Sequence, residues 1–149
     1  MKVACIQLSS GEDYNKNFKD IVKYINQAIV NKAELIITPE TSSLMSADKN
    51  NLFKYSYEMK HDPIIKKVKI IAKTKKKWIL LGSMCIKEKS KLRNRSILIG
   101  PKGKINTYYD KINMFDVKVS KKEQHKESKV FKACLLYTSD AADESGSVD

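Results

Sequence analysis

Cysteine is scarce in this chain, and the three present, Cys5, Cys85 and Cys134, are too scattered for a disulfide framework. A reducing, cytoplasmic compartment is therefore expected. Long apolar runs are missing as well: none approaches the ~20 residues that a membrane span needs. The opening segment "MKVACIQL" enters a strand pattern at once, with no basic stretch leading into a long apolar one, so no secretory signal is read there. Glycine supplies only five of 149 residues, while hydrophobic residues make up 42%. That balance excludes a disordered chain and fits one globular domain with a core of its own. The two histidines, His61 and His125, show no metal-ligand spacing.

Positive charge is what the sequence has in excess. Twenty-nine Lys and Arg face 17 Asp and Glu, a formal net charge of +12. A small basic nucleic-acid-binding domain is one reading of that number. The lysines, however, spread over nearly the whole chain. The densest cluster, "KKVKIIAKTKKK" at 66–77, lies on a predicted helix whose other face is apolar, with no aromatic RNA-binding signature interleaved. A solvated lysine-rich surface is the preferred reading. The rival predicts a steep salt dependence of oligonucleotide binding that is lost when Lys73, Lys75, Lys76 and Lys77 are neutralised.

Periodicity divides the chain into alternating elements. Val3 to Leu8 reads as a strand, and Gly11 to Asp13 supply turn and cap residues. Phe18, Ile21, Val22, Ile25, Ala28 and Ile29 then recur at helical spacing up to about Asn31. Glu34 to Thr38 is a second strand, so the first forty residues form a βαβ unit with parallel strands. Residues 41–60 read as a loop with a short helix. Asp62-Pro63 opens another helix, with Asp as N-cap and Pro at the first position, and Ile64, Ile65, Val68, Ile71 and Ala72 form its buried face. Trp78 to Ile86 is a third strand, "KEKSKLRN" a charged turn, and Arg95 to Gly100 a fourth strand. Pro101-Lys102-Gly103 turns into "KINTYYD". The order β-α-β-α-β-β predicts an α/β layered domain.

In that topology one stretch stands out. "AELIITPET", at 33–41, is a buried strand that ends on a carboxylate, Glu40. Ligands of α/β sheets gather beyond the carboxyl ends of the strands. A carboxylate there can be raised in pKa by partial burial and serve as a general base. A plain loop glutamate capping the next turn is the alternative.

"PE" after a buried strand, then "NRSILIGPKGKI", then "YYDKINMFDV" make the chain resemble the nitrilase superfamily of carbon–nitrogen hydrolases, from Lys2 to about Lys132. Asn94-Arg95-Ser96 and Tyr109-Asp110-Lys111-Ile112 look most like the amidase branch acting on small ω-amides and deaminated glutathione. The resemblance implies an αββα sandwich of two sheets, commonly paired into homo-oligomers through its helices. It implies a small-molecule amide as substrate and no cofactor or metal. It also implies roles: Glu40 as general base, Lys111 as the catalytic lysine, and Glu127 in "HKESKVF" as a second glutamate orienting lysine and substrate. A cysteine thiolate attacks the amide carbonyl in this chemistry, a carboxylate shuttles the proton, and an ammonium stabilises the oxyanion.

The nucleophile is the part that does not match. In the family it lies several dozen residues beyond the lysine, at a sharp turn after a strand. Cys134 in "KACLLYTSDAADE" has the wrong neighbours and lies too close to Lys111. Cys5 and Cys85 fall inside predicted strands, where buried apolar packing is expected. The composition also changes at the end: residues 134–149 carry Asp140, Asp143, Glu144 and Asp149 and no Lys or Arg. "CLLYTSDAADE" looks like an in-frame translation of a transposase-type sequencing-library adapter. The expectation is a partial hydrolase domain at 1–133, cut before its nucleophile and inactive as it stands, followed by a non-native tail at 134–149.

Overall fold

A computed structural model describes residues 1–111. In chain order the elements are β1 (Val3–Cys5), α1 (Tyr14–Val30), β2 (Leu35–Ile37), α2 (Lys49–Tyr55), α3 (Pro63–Lys75), β3 (Trp78–Glu88), β4 (Lys91–Ile99) and β5 (Ile105–Asp110). They form a mixed α/β unit around one sheet of order β1-β2-β3-β4-β5. β1, β2 and β3 run parallel, and β4 and β5 add antiparallel neighbours.

The sheet has two distinct faces because side chains alternate along each strand. Cross-strand register aligns Ala4, Ile36, Ile79, Ile99 and Ile105 in one row spanning all five strands. This row belongs to the core, where it meets Ile21, Ile25 and Ala28 of α1 and Ile64, Val68 and Ala72 of α3. Each helix is there for a legible reason. α1 starts at Asp13, whose side chain accepts from the Lys16 amide at 3.0 Å. α3 starts at Asp62, which accepts from the Ile65 amide at 3.0 Å, with Pro63 in the first turn where no amide hydrogen is needed. It stops at Lys76, which adopts a left-handed conformation with φ 54.

A second row, Cys5, Ile37, Leu80, Leu98 and Thr107, lies on the opposite face. The expectation that Cys5 is buried is corrected by this parity: Ala4 takes the core side, which leaves Cys5 exposed. Cys85 is partly buried; its Sγ accepts from Ser56 Oγ at 3.1 Å, and burial pushes its thiol pKa up.

Strand boundaries differ from the sequence reading in both directions. β2 is short because Pro39, with no amide hydrogen, ends its ladder. β3 and β4 are longer than expected. Most of the charged segment 87–94 is strand, with Ile86 opposite Arg93, Lys87 opposite Leu92 and Glu88 opposite Lys91, and only Lys89-Ser90 turns. "KINTYYD" supplies a fifth strand where four had been counted.

Candidate active site

Glu40 lies just past the carboxyl end of β2, after Thr38 and Pro39, and a deviation in β3 holds that segment in place. The β3–β4 register shifts between Leu81 and Met84, a bulge that contains Gly82 and Ser83. This bulge grips the segment after β2 at successive points. Thr38 N donates to Leu80 O at 2.9 Å, and Gly82 N donates to Thr38 Oγ1 at 3.1 Å. Ser83 N donates to Pro39 O at 2.9 Å, Thr41 N to Ser83 Oγ at 3.1 Å, and Ser42 N to Ser83 O at 2.8 Å. Glycine suits position 82: a Cβ there would press on Thr38 O at 3.2 Å. Thr41 itself has φ 51, a left-handed conformation costly for a β-branched residue. The five-point grip supplies what holds it.

Lys111 follows directly on the carboxyl end of β5, which is parallel to β2 through two antiparallel steps. Its amide donates to Asn94 O at 2.9 Å. Arg95, buried at 4% exposure, clamps the residue before it: Nε and Nη2 reach the two carboxylate oxygens of Asp110 at 2.6 and 2.8 Å. Its Nη2 also reaches Glu88 Oε1 at 3.0 Å, and its guanidinium lies 4.2 Å from the centre of the Tyr108 ring. The lysine is thus fixed in backbone and in approach.

The two predicted residues meet. Lys111 Nζ donates to Glu40 Oε1 at 2.6 Å, and Asn94 Nδ2 donates to the same oxygen at 2.8 Å. Expectation and structure part on electrostatics. Burial was expected to raise the Glu40 carboxyl, but its side chain is 52% exposed and the hydrogen bonds from Lys111 and Asn94 hold it below its ordinary value. Glu127 and Cys134 lie outside the described residues. Among the described residues no three His, Cys, Asp or Glu gather in a way that could hold a metal ion, and no helix is long and apolar enough to cross a membrane.

Sequence reading assigned no role to Asn94, Ser83 or Asn17. Asn17 is 2% exposed and donates to Ser43 O at 3.1 Å and Gly11 O at 2.8 Å, tying α1 to the loop after Glu40. Two signals were available: a Gly-Ser pair inside an apolar strand, which marks a bulge, and an asparagine on the apolar side of a helix.

Comparison with known proteins bears on the family and the fold. The sequence profile described as carbon-nitrogen hydrolase matches residues 2–147. A Yersinia enterocolitica protein named deaminated glutathione amidase is 30% identical over 120 residues, 78% of this chain and 41% of that protein. Nitrilase homolog 2 of Dictyostelium discoideum is 30% identical over 129 residues, 85% of this chain and 39% of that one. The chain thus spans about two fifths of the length of these relatives. The crystal structure of the C. elegans NitFhit protein superposes with a TM-score of 0.70 at 26% identity, covering 78% of this chain and 29% of that one. Saccharomyces cerevisiae Nit3, described as a member of branch 10 of the nitrilase superfamily, shares the fold with a TM-score of 0.67 at 22% identity, covering 77% of this chain and 45% of its own.

Proposed function

The chain belongs to the carbon–nitrogen hydrolase family, and on that premise we propose that the intact protein cleaves a small non-peptide amide through a cysteine nucleophile, with Glu40 as general base and Lys111 as oxyanion stabiliser. One observation carries the reading: Glu40 Oε1 and Lys111 Nζ, 71 residues apart in sequence, stand 2.6 Å apart beyond the carboxyl ends of two strands. The lysine-rich surface of α3 plays no part in it.

The chemistry follows from the two charges. Glu40 is held ionised at neutral pH by its partners, so it can take the proton of a thiol brought beside it. The thiolate attacks the amide carbon, and negative charge collects on the carbonyl oxygen. The Lys111 ammonium offers that oxygen a fixed positive partner. Glu40 returns the proton to the departing amine, and a water activated by the same carboxylate then hydrolyses the thioester. These steps need neither metal nor organic cofactor. Glu127 is proposed as the second carboxylate that keeps the lysine charged and placed. The name of the Yersinia relative, deaminated glutathione amidase, favours a small amide, and the family resemblance favours a cytoplasmic homo-oligomer.

The nucleophile is proposed to lie in the part of the relatives' length that this chain does not span. Ammonia release from a panel of small amides tests the assignment in the intact protein. Glu40→Gln and Lys111→Ala are each expected to lower kcat/KM by about 10²–10⁴-fold. Unchanged turnover in both variants sinks the reading. The 149-residue chain alone is expected to release no ammonia, and turnover by it would show that a cysteine already present serves.

A further inference from the structure

The two oxygens of Glu40 are not equivalent. Both donors, Lys111 Nζ and Asn94 Nδ2, converge on Oε1, and among the described residues no hydrogen bond reaches Oε2. Asn94 is itself held by Ser83, whose Oγ contacts Asn94 Oδ1. The direction of every bond in this series is fixed by chemistry. The Thr41 amide can only donate, so Ser83 Oγ accepts there, and the single hydroxyl proton of Ser83 is left for Asn94 Oδ1. With its carbonyl oxygen so engaged, Asn94 must present its amide nitrogen to Glu40. The reversed amide would set Oδ1 against the carboxylate, two acceptors face to face with no proton between them.

We propose that Ser83 and Asn94 are positioning residues for this reaction: a one-way hydrogen-bond chain from the β3 bulge occupies Oε1 of Glu40 and leaves Oε2 as the oxygen that exchanges the proton. The inference rests on Glu40 being the base. In the transfer, the thiol S–H bond breaks, its electron pair stays on sulfur, and the proton bonds to Oε2. On collapse of the tetrahedral adduct the same proton passes to the amine nitrogen as the C–N bond breaks. Oε1 stays with Lys111 and Asn94 throughout, so the ammonium is not displaced when the base is protonated. Ser83 acts at one remove, because it touches neither Glu40 nor Lys111 among the hydrogen bonds present. It also bonds the strained Thr41, so one side chain sets both the carboxylate's partner and the backbone turn that delivers it.

Carboxyl carbon NMR titration of Glu40 in the intact protein reads this directly. Ser83→Ala is expected to move the Glu40 midpoint upward, although it deletes no bond to Glu40, and Asn94→Leu is expected to move it further in the same direction. Asn94→Leu deletes the donor without touching Ser83, so the shift remains readable if Ser83→Ala loosens the turn. In the intact protein the acidic limb of the pH–kcat/KM profile should shift upward with the same two variants. An unmoved midpoint and an unmoved acidic limb in Asn94→Leu overturn the proposal. Should Glu40→Gln leave turnover intact, the base assignment itself fails; should it abolish turnover while Asn94→Leu moves neither signal, only the positioning role fails.

Discussion

Glu40 titrates below its ordinary value in the folded chain, with the Lys111 hydrogen bond the largest cause. The native state therefore holds the proton less tightly than the unfolded chain does. The contribution to stability is present above the unfolded pKa and is lost as pH falls through the folded one. With 52% of the side chain in contact with solvent, that contribution is small. Lys111→Ala should return most of the midpoint toward the ordinary value, and a carboxyl titration that shows no movement contradicts the pairing. Arg95 has more at stake because it is buried. Arg95→Ala removes the charged hydrogen bonds to Asp110 and Glu88 and is expected to cost about 1–3 kcal/mol in denaturant unfolding, whereas Arg95→Lys keeps the charge but loses the fork and should fall between. At this scale legibility was uneven. Glu40 stood out because it follows a buried strand and carries charge where the strand end delivers it, whereas Lys111, one lysine among many, stood out only through the family resemblance. The sign of the Glu40 shift was unreadable, since it depends on Lys111 and Asn94, neighbours 71 and 54 positions away in sequence. Cys5 was misjudged because strand parity shows which face a residue takes only after the neighbouring strands are placed.

Helices announced themselves through their ends. Asp13, Asp62 and Pro63 marked starts that the structure confirms, because capping is a local bond between residues within three positions. Asp62 also accepts from Tyr14 Oη at 3.0 Å and is fully buried, so it joins α1 to α3. Asp62→Ala removes both bonds and should cost about 1–3 kcal/mol in thermal unfolding. Burial raises the Asp62 carboxyl, so here protonation favours the folded state, and stability falls as pH rises from the unfolded to the folded pKa. Asp62→Asn, which keeps the cap and carries no charge, should therefore gain on the parent at neutral pH and lose that advantage in acid. Comparison of melting curves at the two pH values decides it. The β3–β4 hairpin was less legible. Its charged residues imitate a loop in one dimension, yet the ladder pairs Glu88 with Lys91, and Glu88 bonds Arg93 and Arg95. Those bonds hold a strand that no propensity scale would favour.

The α/β class was legible across the whole chain because alternation of strand and helix needs no long-range knowledge. The mixed direction of the sheet was less so, since it depends on how short the connections after β3 are. One face of that sheet carries the row Cys5, Ile37, Leu80, Leu98 and Thr107, with Val3 beside it 44% exposed. An αββα sandwich would set a second sheet there. The 149-residue chain on its own is expected to self-associate, with sedimentation giving a mass that climbs with concentration. A constant monomer mass would show that the face is satisfied within the chain. The strand order has a further consequence. Among the described residues each strand after β1 pairs with the strand synthesised just before it, so each of these finds a partner already translated as it emerges from the ribosome. Proteolysis of stalled nascent chains should show α1 and β2 sheltered before β5 has emerged. Glu40 is thus placed once the β3 bulge has emerged, and its ion pair with Lys111 is completed only after β5 has followed.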